Sequence, residues 1–281
     1  MSKALALLWA CLWTSVAWAD VPVVASIKPL HALAAAVMEG AGSPEVLVKG
    51  AGSAHIHSLK PSDAKLLSEA AVVFWIGPTF ETFLVRPFGA LGGKARIVAL
   101  GDAPGTKRIG TDGHVWLDPA NAKVIAAAMA ETLAGADPAN AARYRTNARE
   151  LAAKIDMLDV EVIAKLASIK DKPFFVFHDA YQYFGEHYGL DVRGHVTANP
   201  ERPAGARHLQ HLKAEIAALP STCVFAEPQF EPKLIAALTV GTRARSGVLD
   251  PEGSGLAPGP ELYFNLMREL AGNIVRCLTA P

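Results

Sequence analysis

Nine histidines are spread along 281 residues, and none forms a run. Three stand where short apolar segments end: His55 in Gly50-Ala-Gly-Ser-Ala-His-Ile-His-Ser-Leu59, His114 in Asp112-Gly-His-Val-Trp-Leu-Asp-Pro119, and His178 directly after Pro173-Phe-Phe-Val-Phe177. Asp250 follows Gly247-Val-Leu249 in the same way. Three neutral imidazoles and one carboxylate are a donor set for four-coordinate Zn²⁺, at distances of roughly 2.0–2.2 Å. Imidazole also suits copper, nickel and iron, so donor type alone leaves the metal open. The four residues match no local metal motif, and a histidine taken singly is more often a strand-end hydrogen-bonding residue than a ligand. Only a fold that brings strand ends together makes them a site.

His57 would face the same way as His55 in an extended loop, which makes it a candidate extra donor or else a rim residue. His195 reads as a strand-end residue bonded to backbone. His31, His187, His208 and His211 read as helix-surface or helix-packing residues. Three histidines around zinc with an open position would also serve a hydrolase, yet the chain contains no HExxH and no Ser-centred nucleophile elbow. If Asp250 ligates, no open position is left for water.

The elements that must position these residues alternate between short apolar strands and helical patterns, the signature of an α/β protein with mostly parallel sheets. In the first half, strands are expected over 21–27, 46–49, 72–76 and 95–100, with helices over 30–38, 61–70 and 79–91. In the second half, strands are expected over 174–177, 191–195, 223–226 and 246–249, with helices over 181–188, 204–219, 231–240 and 260–277. Four strands per half predict two lobes, 20–137 and 172–281, rather than one continuous sheet. Between them, over 138–171, Pro138 can open a helix that no Gly or Pro then interrupts until Asp171. Leu151, Ile155, Leu158, Val162 and Leu166 give it one apolar face. A helix of about 30 residues is roughly 45 Å long and would brace both lobes rigidly. In such sheets functional residues gather at the carboxyl ends of strands. Two of the four candidates come from each half, so they would meet between the lobes.

Composition narrows the function classes. With 51% hydrophobic residues the chain can bury a sizeable core, and 27 basic residues balance 27 acidic ones. That neutrality gives no support for nucleic acid binding. Residues 1–19 have the three parts of a secretory signal: Lys3, an apolar stretch over 4–16, and Ala17-Trp-Ala19 as a cleavage site. The stretch is shorter than the roughly 20 residues that span a bilayer, so the expected product is exported and starts at Asp20. A lipid anchor on Cys11 is the rival reading, disfavoured by bulky Trp9. Cleavage leaves Cys223 and Cys277, which would pair in an oxidising compartment or remain two buried thiols.

At these same segments the chain resembles the zinc-uptake members, the ZnuA-type cluster, of the metal-binding proteins that serve ABC transporters. The blocks are Val24-Ala-Ser-Ile-Lys-Pro-Leu30, Ala54-His-Ile-His-Ser-Leu-Lys-Pro-Ser-Asp63, Val73-Phe-Trp-Ile-Gly-Pro78, His114-Val-Trp-Leu-Asp-Pro119, Val176-Phe-His-Asp-Ala-Tyr-Gln-Tyr-Phe184, Gly194-His-Val-Thr197, Cys223-Val-Phe-Ala-Glu-Pro-Gln-Phe230 and Leu249-Asp-Pro251. They span nearly the whole mature chain. The resemblance implies a monomeric periplasmic carrier of two α/β lobes joined by a long helix, holding one metal between them and delivering it to a membrane permease. By position it assigns His55, His114 and His178 as imidazole ligands and Asp250 as the carboxylate. Manganese and iron relatives usually carry Glu where His178 stands, which favours zinc over Mn²⁺ or Fe²⁺. The sequence departs from the pattern in three places: residues 101–113 lack the His-rich loop common in zinc members, Ala54 cannot donate, and His57 stands where an aromatic is common. Asp179 and Glu227 are candidate acceptors to orient the ligands, and read equally well as surface or strand-end hydrogen-bonding residues.

Overall fold

The computed structural model describes residues 21–50, 52–90, 94–200, 202, 204–230 and 233–280. The expected signal segment and Cys11 lie outside them. The chain runs β1 (Val23–Ala25), α1 (Lys28–Val37), β2 (Glu45–Val46), α2 (Pro61–Glu69), β3 (Val72–Trp75), α3 (Thr82–Ala90), β4 (Arg96–Ala99), α4 (Pro119–Ala136) and α5 (Ala141–Leu166). It continues as β5 (Phe174–His178), α6 (Gln182–Tyr188), β6 (Val192–Thr197), α7 (Ala206–Ala218), β7 (Cys223–Ala226), α8 (Lys233–Thr239), β8 (Arg245–Val248) and α9 (Leu262–Thr279).

The strands form two four-stranded sheets, ordered β2-β1-β3-β4 and β6-β5-β7-β8, and every pairing is parallel. Side chains alternate across each strand, so each sheet has two apolar faces to bury. Val23, Ala25, Val72 and Phe74 of the first sheet and Phe174, Val176, Cys223 and Phe225 of the second turn into one shared core. Their neighbours Val24, Val73 and Trp75 enter a smaller cluster under α2 and α3. Phe175, Phe177 and Val224 enter another under α7 and α8. The shared core is completed by α1, α4, α5 and α9, so the two halves are joined by a continuous apolar interior.

The long helix α5 spans 26 residues, about 39 Å at 1.5 Å per residue. It buries Tyr144, Ala148, Leu151, Ile155, Leu158, Val162 and Leu166, the expected face extended by two residues at its start. Single 3₁₀ turns at Pro138–Asn140 and Ala167–Ile169 occupy the ends of the expected span. Helix α4 was not anticipated between the fourth strand and Pro138. Its signals are present: Asp118 accepts from Ala120 N at 2.8 Å as an N-cap, and Pro119 sits in the first turn. Its body, rich in alanine, carries little amphipathic contrast because it is covered on a broad side by Ile125, Ala126, Met129, Ala130 and Leu133. Cys223 of β7 and Cys277 of α9 form a disulfide across a separation of 54 residues, with Cα atoms 6.2 Å apart. The closed loop is worth about 4 kcal/mol in chain-entropy terms. Among the described residues no helix is long and apolar enough to cross a membrane.

Candidate metal centre

Three histidines from three separate segments converge where the carboxyl ends of the two sheets face each other. His55 lies in the loop between β2 and α2, His114 immediately before a 3₁₀ turn at Val115–Leu117, and His178 is the last residue of β5. One ring nitrogen from each lies within 4.8 Å of the others. His114 and His178 are each 3% exposed, whereas His55 is half-buried.

The two buried rings are fixed in the same manner. Asp112 Oδ1 accepts from the backbone N–H of His114 at 2.9 Å and is 2.7 Å from its Nδ1. Glu227 Oε1 accepts from the backbone N–H of His178 at 3.4 Å and is 2.6 Å from its Nδ1. An ionised carboxylate only accepts, so each Nδ1 carries the proton and each Nε2 presents a bare lone pair. Those two Nε2 atoms face each other at 3.2 Å. Two lone pairs at that distance repel unless a cation or a proton lies between them.

His55 is held differently. Its Nε2 is buried without a hydrogen-bond partner among the described residues. Its ring rests edge-on against Phe80, with centroids 4.7 Å apart, and stands 5.5 Å and 5.4 Å from the rings of His114 and His178. Burial first, and then the proximity of those two imidazoles, push His55 down to about 2, so its ring is neutral and free to donate a lone pair. Phe80 also packs edge-on against His114 at 5.0 Å. Gly113 makes room for it, since a Cβ there would lie 2.6 Å from Phe80 Cδ2. Beneath Phe80, the buried carboxyl of Glu81 accepts from the N–H groups of Ile76 and Gly77 and from the Ser26 hydroxyl. Burial raises it to about 7 despite those donors.

Neither Asp250 nor His57 stands with the three imidazoles. Asp250 Oδ1 accepts from Gln229 Nε2 at 2.9 Å and Glu252 N at 3.1 Å, and its Oδ2 from Ser254 N and Oγ at 2.6 and 2.7 Å. The carboxylate thus organises its own loop. His57 Nε2 lies 3.3 Å from Asp63 Oδ2, and its ring packs on Phe83. The extended geometry expected for 55–57 is replaced by a turn, in which Ile56 N donates to Ser53 O, so the alternation argument does not apply.

Three residues at the centre escaped sequence reasoning. Asp112 stands two positions before His114, a short-range signal that was available. Phe80 gave none. Glu252, 5% exposed, accepts from Ala54 N at 3.3 Å and so ties the residue before His55 to the opposite half. Burial pushes its carboxyl up to about 8, Ala54 opposes that, and Asp250, Glu227 and Glu81 add to it. Of the two acceptors anticipated, Glu227 backs His178, while Asp179 accepts instead from Gln182 Nε2 at 2.7 Å.

Residues 23–277 match the family described as zinc-uptake complex component A, periplasmic. The high-affinity zinc uptake system protein ZnuA of Brucella suis biovar 1 is 43% identical over 305 aligned positions, covering 92% of this chain and 91% of that protein. The ZnuA of Yersinia pestis is 34% identical, covering 92% of each. Among solved structures, the periplasmic zinc binding protein TroA from Treponema pallidum superposes with a TM-score of 0.83 at 22% identity, over 93% of this chain and 100% of that one, a likeness of fold.

Proposed function

This chain belongs to the ZnuA family of periplasmic zinc-uptake components, and from that premise we propose that it captures Zn²⁺ between its two sheets and hands it to the permease of an ABC transporter. His55, His114 and His178 supply three nitrogen donors. The observation that carries the reading is the 3.2 Å approach of two Nε2 atoms whose Nδ1 protons are committed to carboxylates. Two nitrogens bonded to one tetrahedral zinc at about 2.0–2.1 Å stand about 3.3 Å apart. The fourth position falls to Asp250, once its carboxylate exchanges the loop donors, or to a water. A third imidazole where manganese and iron carriers hold a carboxylate favours zinc. Zinc is cargo here and no reaction is catalysed: the family is one of transport binding proteins, which displaces the hydrolase reading.

The same reading makes residues 1–19 a cleaved signal, the mature chain from Asp20 a periplasmic monomer without lipid anchor or nucleic acid partner, and 20–137, 138–171 and 172–281 its two lobes and link. Zinc titration of the mature protein with Mn²⁺ competition tests it. One tight zinc site is expected, lost in His114→Ala and outcompeting Mn²⁺; no tight site, or indifference to His114→Ala, overturns it. Asp250→Asn separates the two fourth donors, since a water ligand leaves zinc affinity nearly unchanged.

A further inference from the structure

Lys28 is the first residue of α1, and three physical arguments stand against a lysine there. The amino end of a helix disfavours a cation, the side chain is buried with 6% exposure, and ordering its long stem costs conformational entropy. Its ammonium group nevertheless reaches across to the other half of the molecule. It donates to Ser254 O at 2.5 Å and Leu256 O at 3.0 Å, and lies 3.5 Å from Gly253 O. Local rules broken in this way mark positions that serve something other than the local element.

What it reaches is the loop 250–256, where two further donors from the first half also land. Trp116 Nε1 donates to Pro251 O at 2.9 Å, and Ala54 N donates to Glu252 Oε1 at 3.3 Å. Ala54 immediately precedes His55, and Trp116 lies two residues after His114. The loop is folded from within by Asp250, which accepts from Glu252 N, Ser254 N and Ser254 Oγ. Lys28 therefore gathers the outer carbonyls of the segment whose inner side Asp250 organises, and that segment sets the height of the backbone entering His55.

We propose that Lys28 is a positioning residue for metal capture: it pins the loop 250–256 across the two halves, so that the backbone entering His55 is held at a fixed place beside His114 and His178. The proposal rests on the three-imidazole reading above. Removing the ammonium takes this donor from Ser254 O and Leu256 O, while Gly253 O keeps the N–H of Leu256, and the loop then yields at the contact with Ala54.

The test compares the mature chain with Lys28→Met and Lys28→Arg, measuring the zinc Kd and the rate of zinc loss to a chelator, with thermal unfolding alongside. Lys28→Met is expected to release zinc roughly tenfold faster and to bind it correspondingly less tightly, the scale of losing charged hydrogen bonds. Lys28→Arg is expected to recover most of both. A purely structural lysine would lower the unfolding temperature and leave Kd and release rate at wild-type values, and that outcome overturns the proposal. Should Lys28→Met not fold, Glu252→Ala cuts the Ala54 contact of the same loop and must show the same faster release; wild-type release there overturns it equally. If the wild-type chain holds no zinc, or holds it independently of His114, the metal reading falls and this proposal with it. Normal zinc binding with unchanged constants in Lys28→Met removes this proposal alone.

Discussion

His114 and His178 are each clamped by a buried carboxylate that takes both their backbone N–H and their ring proton, whereas His55 hangs from a loop, touching Phe80 and bonded through its ring Nε2 to none of the described residues. The first two are oriented by protein groups alone, with rotamer and tautomer both fixed. The third keeps its position through packing and through the neighbouring Ala54–Glu252 contact. Affinity and exchange can thus be assigned to different residues within one site. A prearranged pair binds at little reorganisation cost, whereas His55 is held by packing on Phe80 and by backbone contacts of its own loop, with no carboxylate on its ring.

The largest test of this contrast removes ligands one at a time. His114→Ala and His178→Ala are expected to abolish the tight site in a zinc titration, while His55→Ala leaves weaker but measurable binding to the remaining pair. Equal losses in all three would break the distinction. Next come the carboxylates: Asp112→Asn and Glu227→Gln should each weaken zinc by roughly 10- to 100-fold in chelator competition, the usual scale for an outer partner of a ligating histidine. Indifference in both would show that the clamps are ornamental to binding.

A smaller effect sharpens the contrast through acid. Ligating imidazoles must be neutral, so zinc affinity should fall as the pH drops through about 6. His55, pushed down to about 2, is already neutral there. His55→Ala should therefore weaken zinc without moving the midpoint of the pH profile, and a displaced midpoint would count against its assignment as the uncompetitive donor.

The smallest effect concerns the frame behind His114. His187 of α6 lies 3.3 Å from Asp118, four residues beyond His114, and 2.8 Å from Asp159 of α5. The Asp118 contact chiefly, against burial and with help from Asp159, raises its pKa above the ordinary 6.5. A raised folded value means that the stabilisation is complete below the unfolded value and is lost as pH rises through the folded one. His187→Gln should thus lower the unfolding temperature more at pH 6 than at pH 9. The partly exposed pair limits the difference to about 1 kcal/mol.

Much of this molecule was legible in its residues because periodicity and strand-end placement are local signals. The eight strands and the apolar face of α5 follow from periodicity; Cys223 and Cys277 pair, one of two outcomes the sequence left open, and strand-end placement, with no help from spacing, put His55, His114 and His178 together. What escaped did so for identifiable reasons. Helix α4 is covered too broadly to show contrast along its alanine-rich body. His57 turned toward Asp63 because a turn, not an extended run, carries the loop. Asp250 points into its own loop because Gln229 and Ser254 supply donors there, a choice of rotamer that no spacing encodes. Lys28 and Glu252 act between segments more than 190 residues apart, where sequence alone has no purchase.

The single interior that Val23, Phe74, Phe174 and Phe225 share with α1, α4, α5 and α9 bears on how a load leaves such a molecule. Prising the two sheets apart would wet that interior, at about 25 cal/mol for every square ångström uncovered. Displacing the short stretch around His55 uncovers a smaller part of it, at Ala54 and Phe80. The cheaper opening is therefore at the rim of the site, at the one imidazole that no carboxylate clamps.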